Sequence, residues 1–261
     1  MTRRHAAVLV LPVLLTASAA CDVMTADLKH TETAEWRKTY ELSPNGRVDI
    51  SNINGKIVVQ PSSGRALEVV AVKSARGATA EGAREALGRI EIREESSDQG
   101  VKVATRISRS EGWFQGGGQV TYTVKMPASA EARFTTVNGG VEVTGLSGRV
   151  TAETTNGGVV VRDVSGPLDA STTNGGVDVD LSAIAEGGVK LGCTNGGIKM
   201  KVPGDGRATI SASITNGGIE VNGLELESSQ STRRRLEARL NGGGPPIRIE
   251  GTNGGITISK R

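Results

Sequence analysis

Asp178 and Asp180 are the residues whose type and spacing come closest to a reaction centre. On a β-strand, residues i and i+2 share a face. Two carboxylates so placed can divide acid and base roles in glycan cleavage. The remaining inventory is thin. His30 is the one histidine outside the first 20 residues, and it lies in the polar stretch read as a tether. A Ser-His-Asp or Cys-His arrangement is therefore not available. No His, Cys or carboxylate cluster has metal-ligand spacing. The recurrent Asn-Gly-Gly tripeptides do not read as phosphate cradles, because no helix follows the glycines and no Lys-Ser/Thr completes a nucleotide loop. The sequence predicts no catalytic residue, no cofactor and no metal.

These residues are positioned by a repeat. Asn-Gly-Gly recurs at Asn138, Asn156, Asn174, Asn195, Asn216, Asn241 and Asn253, with Asn54-Gly55-Lys56 as a degenerate earlier copy. The first five lie 18, 18, 21 and 21 residues apart, a solenoid period. Counted from each Asn other than Asn241, positions −6, −4, +3 and +5 are apolar, as in Val150, Ala152, Val159 and Val161. Alternate positions are mostly polar, which is the strand period. Each repeat is thus strand, turn, strand and a second turn such as Ser165-Gly166-Pro167. The expected fold is an all-β solenoid of stacked 18–21-residue coils. Its structural turn ladder is Asn138-Gly139-Gly140, Asn156-Gly157-Gly158, Asn174-Gly175-Gly176, Asn195-Gly196-Gly197, Asn216-Gly217-Gly218 and Asn253-Gly254-Gly255. Gly supplies positive φ, and stacked Asn amides bond from coil to coil. Cys193 falls in line with Thr136, Thr154, Thr172 and Ile214 and reads as a buried small residue.

The same alignment weighs the acid pair. Glu142, Val160, Lys199 and Glu220 share the column of Asp178, and Arg162 and Lys201 share that of Asp180. Charge ladders Asp178–Lys199–Glu220 and Arg162–Asp180–Lys201 account for both acids without a substrate. Thr155, Thr173, Thr194, Thr215 and Thr252 form one outward rank. The neighbouring column of Glu153, Ser171, Gly192, Ser213 and Glu250 is too mixed to make the second rank of an ice-binding face.

Around the repeats the chain is less regular. Residues 1–20 read as an export signal: Arg3 and Arg4 precede the apolar run Ala6–Leu15, which is too short to span a bilayer. Cys21 follows Ala17-Ser18-Ala19-Ala20 as in a lipobox and is the expected lipidation site. Residues 21–34 are the expected tether, and 35–261 the solenoid domain, irregular over 35–127 and regular over 128–261 with an insertion at 224–240. Thr79 is a candidate N-cap for a short helix ending near Leu87. Trp113 and Phe114, in a Gly-rich loop, are expected to cover one end of the stack. Arg233, Arg234, Arg235 and Arg239 make a basic cluster within the insertion, read as a solvated face near Glu225, Glu227 and Glu237. Removal of Arg3 and Arg4 from a chain of net charge +3 leaves about +1, without the basic excess of a general nucleic-acid binder.

Val48 through Asn54-Gly55, then Val-Thr-Tyr-Thr-Val-Lys-Met-Pro at 120–127, then repeated Thr-Thr-Asn-Gly-Gly-Val, resemble the DUF4097 family over residues 35–261. The resemblance implies a β-solenoid of the bacterial envelope with an adhesin label, relatives in envelope-stress and sensing contexts, and no established catalytic residues. The expected function is an adhesin, scaffold or sensing module, membrane-attached through a lipid anchor. Its partner would be another envelope protein or a surface or cell-wall polymer. The alternatives are a polysaccharide-active enzyme using Asp178 and Asp180, and a self-assembling structural protein.

Overall fold

A computed structural model describes residues 28–43, 46–97, 99–108 and 117–261. The leader at 1–20, Cys21, the first part of the tether, and Trp113 and Phe114 lie outside the described residues.

The chain opens with β1 (His30–Glu41), β2 (Arg47–Ser51), β3 (Ile57–Ser62) and β4 (Ala66–Gly77), followed by helix α1 (Ala80–Gly88). Next come β5 (Ile90–Ser97), β6 (Gly100–Ile107), β7 (Gly118–Pro127), β8 (Glu131–Asn138) and β9 (Val141–Thr144). The regular coils are β10 (Val150–Asn156) with β11 (Val159–Val164), β12 (Leu168–Asn174) with β13 (Val177–Leu181), and β14 (Val189–Asn195) with β15 (Ile198–Val202). β16 (Ala208–Asn222), β17 (Leu226–Ser231), β18 (Arg235–Leu240) and β19 (Pro246–Lys260) complete the chain. β16 and β19 each run through their Asn-Gly-Gly segment as one 15-residue strand.

Strands before each turn stack in parallel on one wall, and strands after it on the other. The first wall runs β5–β6–β2–β8–β10–β12–β14–β19–β16–β18–β17. The second runs β1–β4–β7–β3–β9–β11–β13–β15–β19–β16. The inward columns of both walls meet in one core, where Val150, Ala152, Val159 and Val161 are completely buried. Few aromatics are needed because the walls stand on short β-branched side chains, each fully buried one worth roughly 1.5–3 kcal/mol. Tyr122 and Phe134 fill the wider N-terminal part.

The coils do not stack in chain order. β19 lies between β14–β15 and β16, so the last coil of the chain is the penultimate layer. The other end is inverted in the same way: β2–β3 lies between β6–β7 and β8–β9. The insertion read at 224–240 supplies β17 and β18, an antiparallel hairpin that continues the first wall past β16 and buries Leu236, Ala238 and Leu240. β1 already begins at His30, inside the stretch read as tether, and pairs along its whole length with β4. α1 starts where its cap predicts: Thr79 Oγ1 accepts from Gly82 N at 3.0 Å, and Ala83 and Ala86 are buried.

Candidate functional site

Three outward or near-outward features run along the stack, each fixed by its distance from the Asn-Gly-Gly turn. The first is the turn edge itself. Asn138 Nδ2 donates to Asn54 Oδ1 at 2.8 Å, Asn156 to Asn138 at 2.8 Å, Asn174 to Asn156 at 2.9 Å and Asn195 to Asn174 at 2.9 Å. The line then follows the stack rather than the chain: Asn253 donates to Asn195 at 2.8 Å and Asn216 to Asn253 at 2.9 Å. Asn241 stands outside it. With φ of +50°, it turns β18 into β19 and donates to Gly204 O and Gly206 O.

The two glycines of the turn are not equivalent. At the first position φ is +148° in Gly157 and +149° in Gly175, and an added Cβ would lie 2.0 Å from the carbonyl oxygen of the glycine one coil away. Gly139, Gly196, Gly217 and Gly254 are equally confined. At the second position a Cβ on Gly140, Gly158 or Gly176 would meet its nearest atom at 3.3–3.5 Å. Lys56 occupies that second position in the degenerate copy. The close approach of stacked backbones thus demands only the first glycine.

Just inside the edge, Thr136, Thr154 and Thr172 are buried, and each hydroxyl donates to a first-position glycine carbonyl one coil away: Gly55, Gly139 and Gly157 at 3.2, 2.8 and 2.8 Å. Cys193 takes the next place, its thiol 3.3 Å from Gly175 O, and burial pushes its pKa up. It is a packed structural thiol rather than a nucleophile.

The second feature is the acid pair. The expected partners are only partly in place. Asp178 does stand opposite Lys199, but the next residue in its column is Thr257 and Glu220 comes after that, so the ladder Asp178–Lys199–Glu220 is broken by the inverted coil. Asp178 instead receives a bidentate pair from Arg162, Nη1 to Oδ1 at 3.0 Å and Nη2 to Oδ2 at 2.7 Å. That pairing holds the guanidinium charged. Asp180 Oδ1 is buried and lies 3.0 Å from Nε of Arg261, at an angle short of a hydrogen bond. Arg261 also pairs with Asp163, which has φ of +54° at a bulge in β11. Sequence reasoning missed Arg261, because only the inverted coil brings the chain end to this wall.

The third feature is the hydroxyl rank of the first wall. In stack order it reads Thr155, Thr173, Thr194, Thr252 and Thr215. All five are exposed, and among the described residues none of their hydroxyls has a protein partner. From Thr173 onward the rank borders a shallow groove of ≈ 490 Å³, also lined by Ser171, Gly192, Ser213 and Glu250. Gly192 and Gly251 carry no side chain to fill it. Arg233 and Arg234 stand in the layer beyond Thr215, outside the groove's lining: their carbonyls accept from Ile219 N and Ile214 N, the Arg233 side chain lies near Gly218, and among the described residues both exposed side chains lack an ion pair. Arg235 stands opposite Ser213 and is paired with Glu237 at 3.4 Å. Of the basic cluster read as a solvated face, Arg233, Arg234 and Arg235 thus lie near the end of the hydroxyl rank, whereas Arg239 stands farther along β18, opposite Thr209 and Glu227. Among the described residues no group of three His, Cys, Asp or Glu side chains could hold a metal ion.

Comparison with known proteins adds the following. A family model described as Toastrack DUF4097 matches residues 44–259. No curated protein matches the chain. The structure of a "putative cell adhesion protein" from Clostridium sporogenes ATCC 15579 is similar at a TM-score of 0.52 and 12% identity, over 88% of this chain and 100% of that one. A "putative adhesin" from Bacteroides fragilis NCTC 9343 aligns at a TM-score of 0.33 and 13% identity, over 87% of this chain and 97% of that one. At 12% identity the likeness to the Clostridium sporogenes protein is one of fold.

Proposed function

The chain belongs to the Toastrack DUF4097 family, and on that premise we propose a non-enzymatic envelope module, exported and lipid-tethered at Cys21, whose rigid outer wall binds a polymer or protein of the cell envelope as adhesin or scaffold. The observation that carries this reading is the state of the acid pair. A glycan-cleaving pair needs two carboxyl groups that face the substrate from either side of the scissile bond. Asp178 is instead clamped bidentately by Arg162, and Asp180 lies 3.0 Å from Nε of Arg261, so both carboxylates are engaged by the protein itself. What remains on the outer walls is a regular, hydrogen-bonded surface suited to contact.

An epitope inserted after Ala183, in the exposed turn between β13 and β14, tests the placement. Labelling of intact cells supports an outward-facing adhesin, and labelling only after the envelope is opened supports a periplasmic scaffold. Recovery of the tagged chain in the cytosol contradicts both. Replacing Cys21 by Ala should release the protein from membranes into the soluble envelope fraction.

Self-association has one observation in its favour. Ile219 and Val221 occupy columns that are fully buried in the other coils, yet they are half-buried because, among the described residues, no strand follows β16 on the second wall. Light scattering that finds only monomer at high protein concentration removes this reading.

A further inference from the structure

We propose that the hydroxyl rank and the arginine corner of the first wall form one binding track for an acidic polysaccharide bearing carboxylates, such as a uronate-containing glycan. The inference rests on the adhesin or scaffold reading and names its ligand class and site.

Three observations converge. The rank presents one threonine hydroxyl per coil over five consecutive layers, about 4.8 Å apart by the spacing of paired strands. That repeat is close to the advance of one ring in an extended glycan chain, so successive hydroxyls can meet successive sugars. The hydroxyls are also unengaged. The inner threonines one residue away, Thr154 and Thr172, are bonded to glycine carbonyls, whereas those of the rank have no partner within the described protein. The inverted coil completes the track: Thr252 enters between Thr194 and Thr215, and Gly251 behind it keeps the groove open.

Charge selects among polyhydroxyl ligands. Arg233 and Arg234 stand in the next layer past Thr215, without acidic partners among the described residues, and Lys190 and Arg248 stand side by side along the outer margin. A guanidinium matches a carboxylate bidentately. Glu250 lies within the groove and Asp169 stands beside Lys190, so the net positive charge is modest. This disfavours a densely charged polymer such as nucleic acid or polyphosphate, and fits a chain with at most one charge per ring.

The test uses the full-length purified chain and polygalacturonate, with neutral dextran as comparison. Binding to polygalacturonate should exceed binding to dextran and should weaken as salt is raised. R233A/R234A should weaken it by about tenfold or more, as expected when charge-assisted hydrogen bonds are lost. T194V/T252V should weaken it with the unfolding midpoint unchanged. K199A/K201A, on the opposite wall, should leave it unaltered. Equal binding of both polymers, or loss with K199A/K201A but not with R233A/R234A, overturns the proposal. A chain that sediments with isolated envelopes but not with polygalacturonate overturns this inference and leaves the adhesin or scaffold reading standing. Binding to neither removes both.

Discussion

Gly157 and Gly158 are adjacent and identical in type, yet the stack asks different things of them. An alanine at 157 would place its Cβ 2.0 Å from the Gly139 carbonyl at a φ of +148°. Steric overlap adds to backbone strain of roughly 1–3 kcal/mol, so G157A should destabilise by about 3 kcal/mol or more. G158A should change stability by no more than about 1 kcal/mol, since its Cβ meets only a carbonyl at 3.4 Å. Chemical denaturation of the two variants decides the matter, and equal losses would contradict the stacking account. Tyr122 gives a second test at this scale. It is fully buried, its hydroxyl lies 2.7 Å from Thr105 Oγ1, and burial raises its pKa to about 12. The unfolded phenol ionises near 10. The folded value is the higher one, so this contribution is intact below about pH 10 and is lost as pH rises toward 12. Y122F should cost about 1 kcal/mol at neutral pH and flatten the decline in stability above pH 10. An unchanged alkaline decline would show that other groups govern it.

At the scale of elements, the distinctive feature is the inverted coil. In a solenoid stacked in chain order, removal of the last coil shaves the end and spares the rest. Here β19 is interior, and Ile247, Ile249, Ile256 and Ile258 are each at most 1% exposed. Their burial is worth roughly 6–12 kcal/mol together, comparable to the whole stability of an ordinary domain. A chain stopped before Pro246 should therefore lose cooperative unfolding, as followed by circular dichroism. A soluble truncated protein with an unchanged midpoint would contradict the topology. The strands and their inward columns were legible in the sequence, because period-two alternation is counted from an unmistakable turn. The order of the last coils was not, because Asn216 and Asn253 head repeats with the same columns and either fits beside Asn195. A size signal was nonetheless present: Gly251 stands between Cys193 and Ile214, where a Cβ would lie 3.1 Å from Ile214 Cγ1. β1 was read late for a related reason. As an edge strand it is rich in charged residues, and its covered face is no more than half-buried at Glu32, Ala34, Trp36 and Tyr40, which is how edges are protected from stray pairing.

For the whole molecule, sequence columns identified the acid pair and the hydroxyl rank, and the stack decided what they face. Asp178 pairs diagonally with Arg162, because a guanidinium reaches past the residue opposite it, and Arg261 arrives at Asp180 only through the inverted coil. The arginine corner could not be placed from the insertion's composition, since nothing there fixes which wall the hairpin extends. The outcome is a two-walled β-stack in which Asp178 and Asp180 are engaged by Arg162 and Arg261, and in which Glu250 is the one carboxylate among the described residues lining the hydroxyl groove. The central claim is that this protein binds without cleaving. The most direct measurement incubates the purified full-length chain with polysaccharide isolated from bacterial envelopes and follows co-sedimentation and new reducing ends in the same sample. The account predicts co-sedimentation with no new reducing ends, unchanged in D178N/D180N. Reducing ends that accumulate with the native chain and vanish with the double variant would contradict it.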